Sequence, residues 1–158
     1  MSLTLRRVVT GHDANGKAKV LIDEQVTNTF SHRAGAEFSV IWSSDTLPAN
    51  NDGNEDPSGK KIGTTIEGGS VFRVVSFGPG VAPRNHRTDS IDYAVVMSGE
   101  IDMVLDGETV HLKAGDVLVQ RGTVHDWINN GGVPCVIAFA LISAKPVAID
   151  GKPLPAHG

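Results

Sequence analysis

The stretch NHRTDSID, residues 85–92, sets one histidine and two carboxylates within eight positions. A second histidine, His125, follows in QRGTVHDWINN. Imidazoles and carboxylates together serve two kinds of chemistry. They hold a divalent metal, or they move protons to and from a bound substrate. Read as a strand, DYAVVMS puts Asp92, Ala94 and Val96 on one face and Tyr93, Val95 and Met97 on the other. A carboxylate among small apolar neighbours is costly unless it is paired or bound to a metal. In VHDWIN the same alternation puts His125, Trp127 and Asn129 on one face. An apolar wall with a few polar groups aimed inward is the composition of a ligand pocket. His86 and Asp92 are six residues apart, roughly 20 Å in a fully extended strand, so one site for both needs a bend. RTDS suits it, because Asp and Ser side chains bond to nearby backbone amides.

The elements that must position these residues read as strands. Eighteen glycines and eight prolines divide the chain into short pieces that alternate or are β-branched. Ten strands are predicted: LRRVVT, AKVLIDEQV, EFSVIWSS, SVFRVVSF, DYAVVMS, EIDMVLD, ETVHL, DVLVQ, VHDWIN and CVIAFALI. No segment carries an apolar stripe of helical period and length. Asp106-Gly107 predicts a type I′ hairpin turn, and GPG at 78–80 and NNGG at 129–132 predict further turns. The pattern is that of an all-β sandwich or barrel. Residues 45–61, DTLPANNDGNEDPSGKK, have no periodicity and read as a mobile surface excursion.

A chain of 158 residues is one domain by length, long enough to bury a core without staples. Its net charge of −4 is spread without a basic cluster, which argues against nucleic acid as a partner. The single cysteine, Cys135, lies in an apolar run and is expected buried in a strand rather than acting as a nucleophile. With no apolar run near the roughly 18 residues that span a bilayer, and no secretory pattern, a soluble cytoplasmic protein is expected. His12 and His32 are placed in exposed turns, and His111 is expected to face away from the core.

The segment from Gly80 to Asn129 resembles the two-motif signature of the cupin superfamily. Gly80, His86, Thr88, Asp92 and Gly99 follow the spacing of the first motif. Gly115-Asp116, then His125 and Asn129, follow the second, one residue short and with RGT in place of its proline-glycine turn. The resemblance implies an all-β, double-stranded β-helix or jelly-roll barrel over residues 1–158. The core barrel is expected over about 66–145, with a tail at 146–158. Strands within 1–65 are expected to extend the sheet or form a homodimer interface. It also implies a divalent transition metal, Fe, Mn, Ni or Zn, one per chain. Two positions depart from the family's three histidines and a glutamate. Thr88 stands where the second histidine would be, and Asp92 where the glutamate would be. The ligand set carried over is therefore His86, Asp92 and His125, with open positions for a substrate. If Asp92 is not a ligand, it serves as a general base. Trp127, Arg73 and Thr88 are the expected substrate contacts, and Arg84, Arg87 and Arg121 further sources of positive charge. The activity implied is a metal-dependent dioxygenase, decarboxylase or isomerase acting on a small oxygenated or carboxylated metabolite. The alternative is a binding protein with a degenerate metal site.

Overall fold

A computed structural model describes residues 3–158, and it is all β apart from one 3₁₀ turn. Strands β1 (Arg6–His12) and β2 (Ala18–Gln25) pair as a separate hairpin. The main sheet holds six strands: β3 (Thr29–Arg33), β4 (Ala36–Ser44), β5 (Ser70–Phe77), β6 (Ser90–Ser98), β9 (Val117–Arg121) and β11 (Cys135–Ser143). Their order is β3-β4-β5-β11-β6-β9, with every neighbour antiparallel. Strands β7 (Glu100–Val104), β8 (Thr109–Lys113) and β10 (Asp126–Ile128) form a smaller sheet, ordered β10-β7-β8. Two short strands, β12 (Ala148–Ile149) and β13 (Lys152–Pro153), form a terminal hairpin.

The core lies between the two larger sheets because their strands alternate. On β11 the residues Cys135, Ile137, Phe139 and Leu141 are buried, and those between them are not. They pack with Val71 and Phe77 of β5, Val96 of β6, Ile101 and Met103 of β7, and Trp127 of β10. Cys135 is fully enclosed, and burial pushes its thiol up to about 11, away from reactivity. The motif glycines Gly80, Gly99 and Gly115 all have positive φ. At Gly99, between β6 and β7, a Cβ would also fall 2.5 Å from the Pro134 carbonyl oxygen, so a side chain is excluded twice over.

Three differences from expectation have local causes. Strand β3 (TFSHR) and the β12–β13 pair are mostly exposed, so they lack the apolar alternation that marks a strand. The Asp106-Gly107 turn does join β7 to β8, but neither residue has positive φ, so it is not type I′. The 45–61 segment is pinned, not loose, in its second half. There Asp56 caps the 3₁₀ turn Pro57–Gly59 and pairs with Arg7 at 2.5 Å. The Arg7 guanidinium is almost wholly enclosed, bonding also to Glu24 and the Ile41 carbonyl, and it draws the Asp56 carboxyl down to about 2.

EFSVIWSS becomes β4, inside the main sheet, with Ala36 and Val40 in the core. Among the described residues, no helix is long and apolar enough to cross a membrane.

Candidate functional site

The two histidines meet because the backbone pairs them. His86 and His125 form an isolated antiparallel bridge, each N–H donating to the other's carbonyl at 3.0 Å. Their ring centroids are 4.3 Å apart. Each Nδ1 lies 2.9 Å from the carbonyl oxygen two residues earlier, Arg84 for His86 and Thr123 for His125. A carbonyl only accepts, so Nδ1 carries the proton in both rings and the lone pair is left on Nε2. Burial, with the positive charges of Arg84 and Arg33, lowers both imidazoles, His86 to about 4, where its neighbour His125 also contributes. Both rings are neutral near pH 7, the state in which imidazole binds a metal.

The rings open on a cavity of about 700 Å³ between the main sheet and β10. Asp92, Arg73, Arg84 and Trp127 share its lining with His86 and His125. Asp92 enters from β6, where its strand partners are Leu141 and Gln120. Its Oδ1 accepts a 2.6 Å bond from Ser90 Oγ, and Ser90 Oγ lies 2.8 Å from Thr88 Oγ1. Burial raises the Asp92 carboxyl, against the lowering effects of Ser90 and the Arg73 charge. Arg73 comes from the inner face of β5. Its Nη2 donates to the carbonyls of Gly63 (2.6 Å) and Thr64 (2.9 Å), while its Nε is buried without a partner. Its Cζ lies 5.0 Å from the centre of the Phe38 ring. Burial and the nearby Arg84 charge lower Arg73 to about 10, which still leaves it cationic at neutral pH.

The expected site residues separate into two groups. His86, His125, Asp92, Arg73 and Trp127 come together on the cavity. Thr88 is not among the residues lining that cavity. It lines a smaller hollow of about 180 Å³ with Arg87 and Arg121, which are likewise removed from the main cavity. The chain bends at Asp89, between His86 and Asp92. The residues of the expected ligand set, His86, Asp92 and His125, all face the larger cavity. Among the described residues, no three His, Cys, Asp or Glu side chains gather closely enough for one ion. Asp92 has one methylene fewer than glutamate, about 1.5 Å of reach, and Ser90 engages its Oδ1.

Several residues were not anticipated. His32 lies on β3 rather than in a turn; its ring is 5.4 Å from that of Phe38, and it lines the cavity, as does Lys61. Asp126 acts as a clamp. Both its carboxylate oxygens accept the Arg84 N–H at 3.0 Å, Oδ1 accepts the Trp127 N–H at 2.7 Å, and Arg33 pairs with it at 3.0 Å. It therefore ties the His86 segment to the His125 segment. Position 126 lies beside His125 in sequence, but nothing local shows that Arg33 and Arg84 come to meet it. Asn129 ties a turn, donating to the carbonyls of Phe77 and Val133. His111 faces out as expected, paired with Asp102 at 2.7 Å.

A cupin domain model matches residues 73–142, the span that holds both histidines. The cupin-domain-containing oxidoreductase fogC of Aspergillus ruber is 35% identical over 162 residues, covering 96% of this chain and 78% of that protein. The chain belongs to the cupin family. A second relative, the cupin-domain-containing oxidoreductase virC of Hypocrea virens, is 34% identical, covering 91% of this cupin and 78% of its own length. Among solved structures, the cupin domain of Schizosaccharomyces pombe Cnp3 aligns with a TM-score of 0.51 at 13% identity, covering 87% of each chain. That likeness concerns the fold alone.

Proposed function

We propose that this cupin is a metal-dependent enzyme acting on a small oxygenated or carboxylated metabolite, an oxidoreductase as its relatives are named. The relatives' name favours a dioxygenase over the decarboxylase and isomerase chemistries that the resemblance also implies. The observation that carries it is the His86–His125 pair, two neutral imidazoles held by their Nδ1 protons with both Nε2 atoms free. That donor chemistry fits a divalent transition ion, with carbonyl anchors of the kind that orient metal-binding histidines. His86 and His125 would hold it. Once bound, the ion supplies Lewis acidity and open positions for substrate or dioxygen. Arg73 and Arg84 give the cavity positive charge, suited to an anionic carboxylate. Asp92, raised by burial and held by Ser90, is placed to exchange a proton with the bound molecule. Trp127 closes the floor of the cavity, stacked on Phe77 and edge-on to His125.

One observation favours a second reading. Among the described residues no third ligand side chain gathers with the histidines, which also fits a small-molecule-binding protein without turnover. The two separate by assay. Protein loaded anaerobically with ferrous iron is offered a panel of small hydroxy and keto acids, with oxygen uptake and carbon dioxide release recorded. The enzyme reading expects turnover at least 100-fold above His125→Ala. Binding of the acids without turnover, metal in place, favours the second.

A further inference from the structure

Arg73 is a buried cation with no carboxylate at ion-pair distance among the described residues. It is 7% exposed, its Nη2 is taken by two backbone carbonyls and its Nε has no partner. An enclosed guanidinium in that state is costly unless an anion completes it. The inner face of the main sheet sets an apolar surface directly beside this charge. Strand pairing puts Phe139 of β11 opposite Arg73 of β5, and Leu141 opposite Asp92 of β6. Directly opposed side chains have Cβ atoms about 5 Å apart, so one small molecule reaches both. Phe139 leads on to Trp127, edge-on at 5.8 Å, and Trp127 to His125 at 5.9 Å. The cavity, at about 700 Å³, has the size that takes drug-sized ligands, many times the volume of a three-carbon acid.

We infer that the cavity takes an amphipathic acid: its carboxylate pairs with Arg73, and its bulky apolar body, such as a phenyl ring, lies along Phe139 and Trp127. The inference rests on the reading of this cavity as the substrate site and narrows it. Within the panel of hydroxy and keto acids it selects members with an apolar body over three-carbon ones. Charge selects the head. Arg73, Arg84 and Lys61 face the cavity against one carboxyl, that of Asp92. A guanidinium also holds a carboxylate through paired hydrogen bonds, which a neutral group does not match. The wall selects the body. A short polar acid leaves Phe139, Leu141 and Trp127 against water, whereas a bulky apolar one covers them. A ring stacked offset or edge-on to Trp127 gains further from aromatic contact. Because Trp127 is itself edge-on to His125, a body held there lies beside the histidine pair.

The test is isothermal titration calorimetry on the full chain stripped of metal, with phenyllactate, lactate and phenyllactamide as probes. Phenyllactate differs from lactate by the ring alone and from phenyllactamide by the charged head alone. Phenyllactate is expected to bind about 10- to 100-fold more tightly than lactate, the gain from burying one phenyl group. It is expected to bind at least about tenfold more tightly than the amide, because only the carboxylate pairs with Arg73. In Arg73→Gln, checked for fold by circular dichroism, the preference for acid over amide should be lost. The wild-type comparison of acid with amide decides the matter should that variant fail to fold. Equal affinity for phenyllactate and lactate overturns the inference, as does equal affinity for acid and amide. No measurable binding of phenyllactate, or a folded Arg73→Gln that keeps the full preference, overturns it too. Binding is read without metal, so failure here leaves the metal reading of the histidines standing, and failure of that reading leaves these affinities unchanged.

Discussion

Asp92→Asn is expected to lower turnover by roughly 10²–10⁴-fold, the range over which a positioned acid or base contributes. Fold and metal content should be preserved. Asparagine keeps the volume and can still accept the Ser90 hydroxyl proton through its Oδ1, so the 2.6 Å contact survives. What it cannot do is take up and release a proton. Burial raises the Asp92 carboxyl from its ordinary value, moving a weak base toward one matched to neutral pH. Because the two histidines are the proposed holders of the ion and Ser90 already engages Asp92, the variant should retain its ion. Steady-state assay with metal analysis on the same sample checks both halves. Loss of metal in Asp92→Asn would instead make the carboxylate a ligand.

Trp127→Ala is expected to destabilise the protein by about 3–5 kcal/mol, the usual cost of removing a large buried aromatic. The indole is only 3% exposed. It lies 5.7 Å from Phe77 and 5.8 Å from Phe139, ring centre to ring centre, so its loss leaves each of them only the other, edge-on at 6.5 Å. His125 also loses an edge contact at 5.9 Å, so the site should loosen with the core. Urea denaturation measures the cost, and a change below about 1 kcal/mol would contradict the packing described. The residue is both core and cavity wall, two roles between which sequence alone does not decide.

Most of the site was legible because period-two alternation assigns faces without knowledge of the fold. Asp92, Ala94 and Val96 are buried as the parity of DYAVVMS requires, and Tyr93, Val95 and Met97 are exposed. The positions of His86 and His125 followed from motif spacing. Parity within a strand says nothing about a bend, however, so the outward placement of Thr88 at RTDS was not accessible. Nor does it show contacts between distant segments, such as Arg33 with Asp126 or Arg7 with Asp56, separated by 93 and 49 residues. Strand β3 was missed because a polar, exposed strand has no apolar signature; its pairing with β4 alone defines it.

His86 and His125 are the proposed holders of a metal ion, and metal content tests that role most directly. Tag-free protein purified without chelator is analysed by mass spectrometry beside His86→Ala and His125→Ala, before and after anaerobic loading with ferrous iron. The prediction is close to one equivalent of a divalent transition metal in wild type, lost in both variants while circular dichroism is unchanged. Wild type that stays metal-free after loading, or variants that keep their metal, would contradict it.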